Sequence, residues 1–145
     1  ILGGPRKATT KLKTIYSKVF PKAAIVKTDS TYAEMVKYVT NSFLATKVSF
    51  ANEMYQICSK LEVDYDKVIE YATYDERLGK SHWNVPGPDG DFGYGGHCFP
   101  KDVKALIDLA HDLNVSPRIL TAVDCKNNDV RENRDWEGMK GRAVV

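Results

Sequence analysis

The chain has 145 residues, 43% of them hydrophobic, and a formal net charge of +2 from intermixed Lys, Arg, Asp and Glu. That is enough to bury one sizeable core and too little for two ordinary domains. No basic block marks a nucleic-acid surface, no apolar run approaches the ~18 residues of a membrane span, and no secretory leader opens the chain. The three cysteines, Cys58, Cys98 and Cys125, are odd in number, widely spaced and without CxxC pairing. They argue against a disulfide framework and for a reducing, cytoplasmic compartment.

Ile1-Leu2-Gly3-Gly4 reads as the tail of a strand running into a turn. Residues 8–19 carry Leu12, Ile15, Tyr16 and Val19 at helical spacing, ended by Pro21. Ala23 to Lys27 is short, apolar and rich in branched residues, the pattern of a strand. Asp29 or Ser30 then caps a long helix, with Glu34 close to the capping-box position. Its apolar positions run Tyr32, Met35, Val36, Val39, Phe43, Val48, Ala51, Tyr55, Cys58 and Leu61 without Pro or Gly. Roughly 32 residues at 1.5 Å each predict a rod of about 48 Å, too long for the short helices of this chain to cover. A second copy pairing through this helix is the expected cover. Asp64 caps a further helix through Val68, Ile69 and Ala72. Residues 75–97 hold most of the Gly and Pro and read as a long loop, a length usual for functional or disordered segments. Helices over 101–114 and 117–133 follow, and Val144-Val145 reads as a strand just beginning. Cys58 and Cys125 fall within helical patterns and read as packing residues. The ends read as cut from a longer protein.

The stretch Gly95-Gly96-His97-Cys98-Phe99-Pro100-Lys101-Asp102 carries the chemistry. Pro100 suits a first helical turn, and Val103, Leu106, Ile107, Ala110 and Leu113 keep helical spacing behind it, which places Cys98 at a helix start. A helix N-terminus favours the thiolate, the reactive form of cysteine. Asp102, one turn on, is placed to act as a base or to position water. A buried, inert cysteine capping a glycine-rich turn is the competing reading. His97, His82 and His111 have no metal-ligand spacing, so no metal site is expected. Gly93-Tyr94-Gly95-Gly96-His97-Cys98 begins like a dinucleotide fingerprint, but Cys98 holds the third glycine's place and no strand precedes it. No cofactor-binding residue is assigned in this chain.

Two segments carry a resemblance. Glu34 to Ala45 followed by Val48 to Glu53 is similar to the long central helix of the UDP-glucose/GDP-mannose dehydrogenase family. Asp75-Glu76-Arg77-Leu78-Gly79, then Phe92 to Asp102, is similar to that family's active-site block. The resemblance runs through nearly the whole chain in order. It implies a mainly α, helical dimerisation domain built around one long helix, of the 6-phosphogluconate dehydrogenase C-terminal type, with short β remnants at the ends. Residues 1–28 resemble the C-terminal edge of an NAD-binding Rossmann domain. Residues 29–133 resemble the central dimerisation and active-site domain, and residues 134–145 the lead-in to a nucleotide-sugar-binding domain.

The implied activity is oxidation of a UDP-sugar primary alcohol to a carboxylate with two NAD, through a cysteine thiohemiacetal and thioester. Cys98 matches the nucleophile, and Lys37 and Asn41, four apart on one helix face, match the groups that stabilise an oxyanion and orient substrate or water. Asp102 matches the carboxylate that activates water or accepts a proton. Phe92, Gly93, Tyr94, Gly95 and Gly96 would lie against the sugar phosphate, and Arg77 matches an arginine reaching a neighbouring subunit's site. By itself Arg77 reads as a surface ion pair. His97 resembles UDP-N-acetylmannosamine relatives, whereas Phe99-Pro100-Lys101-Asp102 and Trp83 to Pro88 resemble the UDP-glucose branch. A non-catalytic helical dimerisation module, or a UDP-N-acetylmannosamine or GDP-mannose enzyme, stand as alternatives. NAD belongs to the parent enzyme, its binding domain is not expected here, and this chain alone is not expected to turn over.

Overall fold

The computed structural model of the chain describes residues 1–139. The fold is mainly α, and two compact units divide it between Thr40 and Asn41.

In the N-terminal unit, β1 (Leu2–Gly3) pairs in parallel with β2 (Lys27–Thr28), in the register Leu2 to Lys27 and Gly3 to Thr28. Helix α1 (Arg6–Val19) connects them. It begins directly after Pro5, whose fixed φ suits a helix start, and closes before Pro21. The strand expected over 23–27 is shorter than its composition suggested. Ala23 is instead in a turn, its N–H donating to the Phe20 carbonyl at 3.1 Å, and only the stretch facing the two-residue β1 is paired.

Helix α2 (Ser30–Lys60) is continuous over 31 residues, about 46 Å of axis. Asp29 caps it, accepting from Tyr32 N–H at 3.0 Å. The position three after the cap is therefore Tyr32, and Glu34 is not part of a capping box. Beyond Thr40, the buried positions of α2 are Ser42, Ala45, Ser49, Ala51, Asn52 and Cys58. The apolar run read from the sequence packs only in part: Ala51 and Cys58 are buried and Val48 and Tyr55 lie against the core, but others of its larger members do not turn inward. Tyr32, Val39, Phe43 and Leu61 are each more than half exposed, and small or polar residues take the inward stripe because neighbouring segments approach closely there.

The second unit packs around that stripe in two clusters. Ala51, Cys58, Tyr65, Trp83 and Val85 form one, and Ala45, Tyr94, Val103 and Val123 the other. Helix α3 (Tyr65–Ala72) is capped by Asp64, whose carboxylate accepts from Asp66 and Lys67 N–H. Helix α4 (Phe99–Asp112) and helix α5 (Arg118–Val130) pack on each other. Helix α5 stops three residues short of expectation because Arg131 turns extended. Cys58 is buried as expected of a packing residue, but Cys125 is exposed. Helix α5 turns Val123 and Asn127 inward, and a residue two positions from Val123 points away from them. The strand read at Val144-Val145 lies outside the described residues. No helix among the described residues is long and apolar enough to cross a membrane.

Candidate active site

Cys98 occupies the cap position of α4, with Pro100 in the first turn, and its thiol-bearing side chain is exposed. The Cys98 carbonyl accepts from Asp102 N–H at 3.0 Å, so one helical turn sets the carboxylate relative to the cysteine. Asp102 is fully buried. From α2, Asn41 Nδ2 donates to Asp102 Oδ2 at 2.5 Å, and the Lys101 ammonium donates to Asp102 Oδ1. A buried carboxylate needs such partners, because stripping water from the ion costs several kcal/mol. The structure thus joins Asn41 and Asp102 across α2 and α4, with the exposed Cys98 one backbone turn before the carboxylate. Lys101 was missed by sequence reasoning, since adjacent helical residues rarely meet.

Lys37 lies on α2 in the N-terminal unit and is exposed. Arg77 lies in a 3-10 turn at Glu76–Leu78 and grips Asp75, with Nη2 at 2.5 Å and Nε at 2.9 Å from the carboxylate. That hydrogen bonding holds the Asp75 carboxyl below its ordinary range. Within this chain Arg77 is a surface ion pair, with its side chain 88% exposed.

The long loop is ordered from both sides. Lys47 Nζ donates to the carbonyls of Leu78 and Gly79 at 2.8 and 3.1 Å and lies 4.7 Å from the Trp83 ring centre. Trp83 Nε1 donates to Gly79 O at 2.8 Å, and Tyr65 Oη to Trp83 O at 2.7 Å. Further on, three loop amides donate to side chains: Gly93 N to Asn52 Oδ1 at 3.1 Å, Tyr94 N to Asn127 Oδ1 at 2.7 Å, and Gly96 N to Asp135 at 3.0 Å. Burial pushes the Tyr94 phenol above its ordinary range, with Asp124 adding to it. Arg131 lies behind the loop against Asp89, Asp91 and Asp135. Its hydrogen bond to Asp89 holds that carboxyl below the usual range.

These segments wall a cavity of about 530 Å³, lined by His82, Asp89, Gly93 to Gly96, Phe99 and Asp135 among others. The volume falls in the range of small-molecule sites. Cys98 follows Gly96 and precedes Phe99, both of which line it. Asn52, Asn127, Arg131 and Asp135 carried no sequence signal, because isolated polar residues on helices read as solvated surface. Among the described residues no three His, Cys, Asp or Glu side chains gather as a metal site.

A mainly helical domain built on one long helix, with a cysteine at a helix start and a carboxylate one turn on, defines the class. Residues 31–129 match the model of the UDP-glucose/GDP-mannose dehydrogenase family, central domain. The chain belongs to this family. It is 39% identical over 121 residues to a UDP-glucose 6-dehydrogenase of Rickettsia felis, covering 83% of this chain and 26% of that protein. It is 40% identical over 105 residues to UDP-glucose 6-dehydrogenase YwqF of Bacillus subtilis, covering 72% and 23%. A solved UDP-glucose dehydrogenase from Pyrobaculum islandicum superposes with a TM-score of 0.77 at 35% identity, covering 87% of this chain and 28% of that one. The chain spans about a quarter of the length of these relatives.

Proposed function

We propose that the chain is the central, active-site segment of an enzyme that oxidises UDP-glucose to UDP-glucuronate with two NAD, with Cys98 as the covalent nucleophile. One observation carries this reading: a buried Asp102 carboxylate, fixed by Asn41, one turn from an exposed Cys98 at the start of α4. The relatives named above share the sugar nucleotide, which favours UDP-glucose over its analogues.

A nicotinamide cofactor supplies the hydride acceptor for both oxidations. The described residues do not fit it. The glycine run leads into α4 without a preceding strand, and the N–H groups of Gly93, Tyr94 and Gly96 already donate to Asn52, Asn127 and Asp135. We assign NAD to the part of the enzyme that this chain does not span. What these residues do is covalent and positional. Cys98 Sγ adds to the aldehyde carbon, giving a thiohemiacetal with no change of oxidation state. After its oxidation, water attacks the thioester carbonyl and the sulfur leaves as thiolate. Asp102 accepts the attacking water's proton, and Asn41 holds that carboxylate in place. Lys37 supplies a cation toward the developing oxyanion, a type of contribution worth about 3 kcal/mol of barrier.

Brief iodoacetamide treatment at neutral pH, mapped by mass spectrometry, tests the thiol's role. Cys98 is expected to label before Cys125 although both are exposed, and Cys58 last because it is buried. Equal labelling of Cys98 and Cys125 would count against an activated nucleophile.

The same reading includes a homodimer through α2. Val39 is 57% exposed and Phe43 66% exposed, large apolar side chains on one helix that a second copy would cover. Sedimentation at tens of micromolar is expected to show a dimer, and Phe43→Glu to shift it to monomer. A monomeric unmutated chain would remove the proposal.

A further inference from the structure

We infer that Arg131, together with Asn127 one turn before it, is a positioning residue that fixes where the glycine loop places Cys98; this rests on the reading of Cys98 as the reacting thiol. The Arg131 side chain is only 2% exposed. Its guanidinium lies 2.8 Å from Asp89 Oδ2, 3.3 Å from Asp91 Oδ2 and 3.9 Å from Asp135 Oδ1. It also donates to the carbonyls of Asn133 at 2.8 Å and Phe92 at 3.4 Å. Asn127, 1% exposed, accepts from Tyr94 N at 2.7 Å and donates to Tyr94 O at 3.0 Å. Asp135 accepts from Gly96 N with both oxygens, at 3.0 and 3.1 Å.

The loop is therefore hooked at Phe92, Tyr94 and Gly96, every second residue, to α5 and the segment that follows it. Cys98 comes two residues later, and its carbonyl is tied into the first turn of α4. It hangs between two fixed points. At Gly93 and Gly96, with φ of +67° and +71°, the backbone has little conformational preference of its own, since glycine populates positive and negative φ about equally. Precision has to come from outside the loop, and one buried cation facing three carboxylates supplies it. Such pairing is costly to break from one side. A misplacement of about 1 Å at a reacting group costs on the order of 100-fold in rate.

The three cysteines report on this selectively. Cys98 follows the loop, Cys125 is an exposed control on α5, and Cys58 is buried, so its labelling reports opening of the core. In the full-length protein, Arg131→Gln is expected to lower the Cys98-to-Cys125 iodoacetamide rate ratio at least threefold while Cys58 stays protected. Arg131→Lys, which keeps the charge and loses the fork, is expected to recover part of the ratio. The same Gln variant is expected to lose about tenfold or more in kcat with KM changed less. A ratio unchanged or raised overturns the inference. Where Arg131→Gln exposes Cys58, the half-exposed Asp89 decides instead: a lowered ratio in Asp89→Asn supports the role, and an unmoved one overturns it. Full activity of Cys98→Ser would remove the nucleophile reading while leaving the labelling shift standing. An unmoved ratio with an inactive serine variant would remove only Arg131's role.

Discussion

Cys98→Ser in the full-length enzyme is expected to lower the rate of carboxylate release by roughly 10³-fold or more, the scale seen when an essential nucleophile is lost. Substrate binding should survive, because the exposed position at the start of α4 accepts a hydroxyl without repacking. The reason is electronic. An alkoxide from serine is a poor surrogate for sulfur both in trapping the aldehyde and in leaving when water attacks the acyl carbon. Chromatographic measurement of the sugar acid, beside calorimetry with the UDP-sugar, separates the two effects. Acid formed within tenfold of the unmutated rate would mean that Cys98 is not the covalent group. Loss of binding along with loss of rate would mean that its role lies in the ground state.

How much of this was legible depended on whether a residue's signal is local. Cys98 at a helix start could be read from Pro100 and the apolar spacing after it, and Asp102 one turn on followed from the same helix. The length of α2 followed from an unbroken run without Gly or Pro. Its packing face followed only at Ala51 and Cys58. Ser42, Ala45, Ser49 and Asn52 recur at spacings of three and four, as a buried stripe should, but their polarity and small size hid them behind Tyr32, Val39 and Phe43. Ser49 is inward because its hydroxyl donates to the Val123 carbonyl at 3.1 Å, a partner 74 residues away. Cys125 was misread for the converse reason, since an apolar type within a helical pattern says nothing about which side faces in. The anchors of the glycine loop were the least visible. Asn127, Arg131 and Asp135 lie more than 30 residues from the loop amides and carbonyls they hold, and nothing in their own neighbourhood marks Asn127 and Arg131 as buried.

Two neighbouring glycines should respond differently to alanine, for two different physical reasons. Gly96 has a φ of +71°, and a Cβ built there meets nothing within 4 Å. Its cost is conformational alone, about 1–2 kcal/mol for a left-handed residue with a side chain. Gly95 has no such φ, so alanine fits its backbone. Its difficulty is space. A Cβ there would lie 2.2 Å from Arg131 Nη2, 2.7 Å from Arg131 Cζ and 2.7 Å from Asp135 Oδ1. Those atoms cannot swing away cheaply, because the guanidinium is buried and committed to Asp89 and Asp91 as well. Displacing it combines overpacking with a loosened buried ion pair, for an expected cost of about 3 kcal/mol or more. Urea unfolding of the two variants, compared with the unmutated chain at equal slope, measures the difference. A Gly95→Ala chain no less stable than Gly96→Ala would show that the Arg131 cluster yields freely. In that case a rigid loop could no longer be the means by which Cys98 is held, and its placement would have to come from α4 alone.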